Sequence, residues 1–164
     1  MEKEGKKRYA RALYASWEQG TFLYGRWASS RGLHYSELQV LYALNTRSGL
    51  TQKTISEYYG LPKQTVNAVV QNLRKQGYVV LQKSGRDGRE KIVELTREGE
   101  IYCSDLLKPL FDIEERVCGN IEEERFIQAI ETEELFNLLF ERELEKELKK
   151  ELEREPEREL QNDE

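Results

Sequence analysis

The stretch from Thr51 to Thr96 constrains the fold more than any other part of this chain. Its periodicity switches from helical to extended, and the breaks fall on glycine. Thr51 offers a hydroxyl to the free amides of a helix start. Ile55 and Tyr59 then share one helical face, and the small Ser56 sits where a second helix must come close. Gly60 suits the left-handed stop, and Pro62 suits the first turn of the next helix, where a missing N–H costs nothing. Val66, Val69, Val70 and Leu73 follow at i, i+3, i+4 and i+7, a stripe that predicts a buried face closed by Gly77. Tyr78–Lys83 is rich in β-branched and aromatic residues, and Lys91–Leu95 is its returning partner. Between them Ser84–Arg89 carries two glycines and an Asp-Gly pair, a hairpin signal. The sum is a helix-turn-helix with an attached β-wing.

Such a shape fits a DNA groove, and the residues left outward suit the task. The face opposite the valine stripe presents Lys63, Gln64, Thr65, Asn67 and Gln71, side chains able to reach phosphates and base edges. Lys53 adds a cation on the preceding helix. Lys83, Arg86, Arg89 and Lys91 cluster on the hairpin, a thin basic finger suited to a narrow, strongly negative minor groove. Asp87 would be repelled by phosphate, so it reads as a brace for Arg86 or Arg89. The alternative for this whole polar face is ordinary solvated surface.

The net charge of −5 argues against DNA until its distribution is considered. Residues 51–91 hold eight Lys/Arg against three acids, a net of +5, whereas residues 112–164 hold eight against twenty, a net of −12. Affinity for a polyanion depends on local neutralisation of phosphates, so the acidic end is expected to face away from the duplex. Charged residues make up 35% of the chain and apolar ones only 38%, a thin supply of core for 164 residues, which points to an elongated helical form or a dimer interface.

The remainder reads as helix. Leu13, Trp17, Gly20, Tyr24 and Trp27 recur at alternating fours and threes, the spacing of a packing seam. Ser36 with Gln39 predicts the start of the next helix, whose apolar face is Leu38, Leu41, Tyr42 and Leu44. A long helix is expected from Thr96 to about Val117, bent or loosened at Pro109. Asn120 with Glu123 predicts the next cap. The last helix carries Phe126, Ile127, Ile130, Leu135, Phe136, Leu138 and Leu139, then a thin Leu144, Leu148, Leu152 stripe that Pro156 should stop. The expected domains are residues 1–34 for dimerisation, 35–96 for DNA, 97–155 for dimerisation again, and a disordered tail at 156–164.

At Leu73-Arg74-Lys75-Gln76-Gly77-Tyr78-Val79, Asp87-Gly88-Arg89 and Leu95-Thr96-Arg97-Glu98-Gly99 the chain resembles the MarR-family transcriptional regulators, over roughly residues 8 to 140. The resemblance implies a mainly α winged-helix dimer, joined through N- and C-terminal helices, that binds a pseudo-palindromic operator as a regulator, most often a repressor, and answers to a small ligand. It maps the family's wing arginine onto Arg89 and its wing aspartate onto Asp87. Ser56 replaces the commoner alanine, Pro62 replaces the frequent N-cap serine, and the charged extension after residue 140 is outside the family pattern.

The aromatics Tyr14, Trp17, Phe22, Tyr24, Trp27 and Tyr35, with His34 beside them, are candidates for a ligand pocket, against the plainer reading of core and dimer packing. Cys103 and Cys118 lie fifteen residues apart, ~22 Å along one helix, too far for a disulfide, which needs Cα atoms within ~7 Å. One histidine and two cysteines leave no metal-ligand cluster, and there is no nucleophile elbow or phosphate loop, so neither a metal, a cofactor nor an enzyme is expected. No apolar run approaches the ~20 residues of a membrane span, and the charged N-terminus lacks a signal-peptide core, so the expected compartment is the cytoplasm. Besides the regulator, the acidic balance keeps open a winged-helix protein-interaction module that no longer reads DNA.

Overall fold

In the computed structural model the chain is described over residues 3–83 and 91–161. Its elements are α1 (Lys3–Ser30), α2 (Tyr35–Thr46), α3 (Gln52–Tyr59), α4 (Lys63–Lys75), β1 (Val79–Lys83), β2 (Lys91–Leu95), α5 (Arg97–Cys118) and α6 (Glu123–Gln161). The wing tip, and with it the expected roles of Arg86, Asp87 and Arg89, lies outside the described residues.

The helix-turn-helix forms for the reasons its sequence suggests. Thr51 caps α3, its Oγ1 accepting from the Thr54 N–H at 3.1 Å while its own N–H donates to Thr54 Oγ1 at 2.8 Å. Gly60 ends α3 at φ 61°, ψ 25°, a left-handed conformation that glycine adopts without Cβ strain. Pro62 occupies the N-cap position of α4 rather than its first turn, and makes no side-chain cap. The turn is tied from the other side: Ser56 Oγ donates to the Leu61 carbonyl at 2.6 Å, and the Leu61 N–H donates to the Ser56 carbonyl at 3.0 Å.

The wing strands are antiparallel in the register Val79↔Leu95 to Lys83↔Lys91. They gain a third partner that the sequence pattern does not announce. Thr51 bridges Ile92, and the Val93 N–H donates to the Leu50 carbonyl at 2.7 Å, so the residues ahead of α3 act as a minimal edge strand.

The chain divides into two units, residues 1–113 and 114–164. The first has two hydrophobic clusters. One joins Val40, Leu41, Leu44, Ile55, Val66, Val69, Val70, Leu73, Val79, Val93 and Cys103, so α2 to α5 and the wing share a core. The other gathers Ala28, Leu38, Leu107 and Leu110, with Trp27, Tyr42 and Phe111 packed against them. Only the C-terminal end of α1 is buried this way, and Tyr14, Phe22 and Leu23 along it are exposed. In the second unit α6 leaves Ile127, Ile130, Leu135, Leu138, Leu139, Phe140, Leu144, Leu148 and Leu152 exposed. Apolar rows of that length on a soluble helix usually mark a surface that another chain covers.

Three helix ends differ from the sequence expectation. α2 starts at Tyr35 with His34 at the N-cap, and the partner of the His34 N–H is Glu37 (2.8 Å), not the Ser36–Gln39 pair. Asn120 closes α5, donating from Nδ2 to the Arg116 carbonyl at 2.6 Å, and does not open α6. α5 runs through Pro109, which lies inside the helix as expected. α6 likewise continues through Pro156 to Gln161, where a stop was expected. A proline removes one ladder hydrogen bond and bends a helix, but a long run of good helix formers on either side can carry the backbone past it.

Candidate nucleic-acid interface

The interface follows from how α4 is held. Its valine–leucine stripe is buried, Val66 and Val70 completely, and this fixes the rotation of the helix. Lys63, Gln64 and Asn67 are thereby exposed, while Thr65 and Gln71 are half-buried. At 3.6 residues per turn Lys63, Gln64, Asn67 and Gln71 occupy one outward sector, and Thr65 falls on the flank beside the buried stripe. Arg74 and Lys75, basic and exposed in the last turn, extend the same sector. The sequence reading left them out of the candidate site, although Arg74 continues the Lys63–Asn67–Gln71 row by a further turn.

Lys83 and Lys91 end the described part of the hairpin as direct cross-strand partners, and both are exposed. Like charges directly opposite on a two-stranded ribbon are destabilising. Among the described residues no carboxylate pairs with either. A phosphate would relieve that repulsion, so the wing carries an electrostatic reason to meet a polyanion. Lys53 differs: it stands 3.9 Å from Glu57 on the same helix, with both side chains mostly in solvent, so its charge is already shared.

The end of α4 is clamped to the start of α5. Thr96 Oγ1 donates to the Gly77 carbonyl at 2.7 Å and accepts from the Gly99 N–H at 3.0 Å, and the Thr96 N–H donates to the Tyr78 carbonyl at 3.0 Å. Tyr78 and Tyr102 stack with centroids 4.2 Å apart and planes 6° from parallel. A Cβ on Gly99 would lie 1.9 Å from the Tyr78 carbonyl oxygen, so only glycine allows α5 to approach this closely. Burial, and secondarily the neighbouring Tyr78 hydroxyl, raise the Tyr102 pKa.

A cleft of about 310 Å³ opens between α1, α2 and α3, lined by Tyr24, Tyr35, Leu38, Gln39, Tyr42, Thr46, Arg47, Tyr58 and Tyr59. The Arg47 guanidinium lies 3.7 Å from the Tyr58 ring centroid and also donates to the Tyr58 hydroxyl. Burial, ahead of the neighbouring Tyr58, raises the Tyr59 pKa. Of the aromatics singled out from sequence, Tyr24 and Tyr35 line this cleft. Trp27 packs beside Ala28 and Leu38, and His34 sits at the α2 cap. Tyr14 and Trp17 border a separate shallow hollow on α1 with Glu18, Thr21 and Phe22. Tyr42, Tyr58, Tyr59 and Arg47 were not among the candidates; the adjacent tyrosines 58 and 59 ahead of the Gly60 stop were the available signal.

Cys103 is buried and Cys118 exposed, and both are free thiols. Burial pushes the Cys103 thiol up to about 11. Among the described residues no group of three or more His, Cys, Asp or Glu could hold a metal ion, and no helix is long and apolar enough to cross a membrane.

A recognition helix held by a buried stripe, with its polar face out beside a basic two-stranded wing, defines a winged helix-turn-helix DNA-binding protein. The family model that matches residues 31–90 is that of the MarR family. The uncharacterized HTH-type transcriptional regulator YwoH of Bacillus subtilis is 33% identical over 93 residues, which span 57% of this chain and 67% of the relative. A second regulator of that organism, YcgE, is 28% identical over 97 residues, 59% of this chain and 63% of the relative. Among solved structures, a MarR family regulator from Neisseria meningitidis superposes with a TM-score of 0.69 at 25% identity, covering 89% of this chain and 99% of that one. The Staphylococcus aureus MarR, solved with salicylate and kanamycin, shares the fold alone, with a TM-score of 0.64 at 14% identity over 84% of this chain and 93% of that one. The chain belongs to the MarR family, and it is a DNA-binding transcriptional regulator.

Proposed function

We propose that this regulator acts in the cytoplasm as a homodimeric repressor that reads a pseudo-palindromic operator and releases it when a small ligand binds. The observation that carries the DNA reading is the Lys83–Lys91 pair, which no described carboxylate engages, beside the Lys63–Asn67–Gln71 face of α4. In this reading Lys63, Arg74, Lys83 and Lys91 neutralise phosphates, while Gln64, Asn67 and Gln71 meet base edges, with Thr65 at the margin of the contact. Arg86 and Arg89 extend the wing into the minor groove, braced by Asp87. The exposed apolar rows of α1 and α6 support the dimer, which would set two recognition helices about one DNA turn, ~34 Å, apart.

The tyrosine-lined cleft is the proposed ligand site, in place of Tyr14, Trp17, Trp27 and His34. The staphylococcal relative was solved with salicylate, a planar phenolic anion. Five phenol rings and one guanidinium, with no carboxylate among the lining residues, suit that chemistry. The cleft touches α3 directly, and α4 is tied to α5 through Thr96. A ligand that prefers one spacing of the recognition helices would therefore shift the population away from the one that fits both half-sites.

The test is binding of the purified full chain to the DNA upstream of its own reading frame, followed by fluorescence anisotropy, with and without salicylate as the probe. The proposal expects tight binding to one short inverted repeat that salicylate weakens in a Tyr42- and Tyr58-dependent way. Equal affinity for scrambled DNA, together with recovery of a stoichiometric protein partner, would support the interaction-module reading instead.

A further inference from the structure

Arg47 is the C-cap residue of α2, and its backbone there is extended, at φ −139° and ψ 147°. Its side chain crosses to the last turn of α3. There the guanidinium lies 3.7 Å from the centre of the Tyr58 ring and donates to the Tyr58 hydroxyl. Tyr58 in turn meets Tyr59 edge-on, with centroids 4.9 Å apart and planes at 79°. For this cation the partner is a weak one. A guanidinium is a planar fork of donors that matches a carboxylate, whereas a neutral phenol offers one oxygen and a ring face. Among the described residues no carboxylate pairs with Arg47. The acids on α2 and α3 are turned to other groups: Glu37 accepts from the His34 N–H at 2.8 Å, and Glu57 stands 3.9 Å from Lys53.

The contact also occupies a sensitive place. Both residues are exposed on the wall of the tyrosine cleft. Ile55, fully buried, holds α3 to the core, while the Arg47–Tyr58 contact joins its last turn to the end of α2. Immediately beyond come Gly60 and the Ser56–Leu61 hydrogen bonds that set the entry to α4.

We infer that Arg47 and Tyr58 form a latch that an aromatic carboxylate opens. The ligand's carboxylate takes the guanidinium, Tyr58 loses its tether, and the last turn of α3 leaves the geometry in which α4 fits DNA. This rests on the cleft being the ligand site and names the group that triggers it. A charge-assisted, two-pronged bond to a carboxylate is stronger than one to a neutral hydroxyl, and the phenol rings of the cleft pack against the ligand's own ring. Latch and ligand compete for one guanidinium, so the latched state binds DNA and the open state binds ligand. Tyr58 is a positioning residue, acting on DNA through α3 and on the ligand through Arg47. Such competition carries a sign that an ordinary pocket wall does not. Removing Tyr58 frees Arg47, and the apparent ligand affinity rises because the closed population no longer diminishes it.

The test measures two affinities in the full chain: salicylate by calorimetry, and the upstream inverted repeat by fluorescence anisotropy. Circular dichroism follows the fold of each variant. Tyr58→Leu is expected to bind salicylate about tenfold tighter and DNA about tenfold more weakly, with little further loss when salicylate is added. Arg47→Met should lose about tenfold in both affinities and no longer respond to salicylate. Tyr58→Phe keeps the ring and drops the hydroxyl, so it should move both affinities as Tyr58→Leu does, by less, with the fold preserved. Salicylamide, which lacks the carboxylate, should leave wild type on its DNA. A Tyr58→Leu or Tyr58→Phe chain that binds salicylate no tighter than wild type overturns the latch and leaves the cleft as the ligand site. An Arg47→Met chain that still releases DNA to salicylate, or a wild type that releases it equally to salicylamide, does the same. A wild type that does not bind salicylate overturns both the latch and the cleft reading.

Discussion

Single side chains in this regulator set how its DNA-binding half is held. Ser56 is 7% exposed, and its hydroxyl is the donor to the Leu61 carbonyl in the turn before α4. Ser56→Ala leaves that carbonyl short of a partner and should cost ~1 kcal/mol, a fall in melting temperature of roughly 2–4 °C. Gly99 is less forgiving. The added methyl of Gly99→Ala would meet the Tyr78 carbonyl at 1.9 Å, and that carbonyl is held by the Thr96 amide. The expected loss is ~3 kcal/mol or more, with α5 forced off the end of α4 and DNA binding reduced in parallel. The two thiols should separate cleanly: iodoacetamide is expected to label Cys118 and spare Cys103 in the native chain. Because Cys103 is raised from 9.0 to about 11, the unfolded chain loses this proton before the folded one does as pH rises. Stability from this group is therefore complete below pH 9.0 and falls as pH climbs from 9.0 toward about 11. Calorimetry across that window should show a shallower decline in Cys103→Ala than in wild type.

Among the elements, α4 carries the proposed specificity. Asn67→Ala should relax base preference at one operator position by about 1–3 kcal/mol, while Arg74→Ala should weaken all sequences alike and lower the salt slope by about 0.9. A competition assay against single-base operator variants distinguishes the two, and an Asn67→Ala protein with intact preference removes Asn67 from the readout. α4 was also the most legible element in the sequence, since a stripe of four buried aliphatics fixes both period and rotation. The wing strands were legible for the same reason, from β-branched alternation around a glycine-rich turn. Helix ends were harder to read. His34 takes a cap that sequence preference gives to serine, and the bulk of α6 carries its backbone past Pro156. The Leu50–Thr51 edge pairing involves too few residues to leave a period. The cleft was only half legible: Tyr59 follows Ile55 on an apolar face and is indeed half-buried, but that this face also borders a cavity depends on where α1 and α2 lie against α3.

At the scale of the whole molecule, charge is partitioned by task. Residues 51–91 are net positive and residues 112–164 strongly negative, so the acidic balance of the whole chain says little about its affinity for DNA. The exposed apolar rows of α1 and α6 fit the thin supply of core that composition already implied, and they are the surface that the proposed dimer would cover. The most direct test of the account is the salt dependence of binding to the upstream inverted repeat, with wild type compared against a Lys83→Ala, Lys91→Ala double variant. The account predicts a steep, linear loss of log affinity with log salt for wild type, at a stoichiometry of one dimer per repeat, and a slope shallower by about 1.8 in the variant. A flat wild-type slope, or one that the double substitution leaves unchanged, would contradict it.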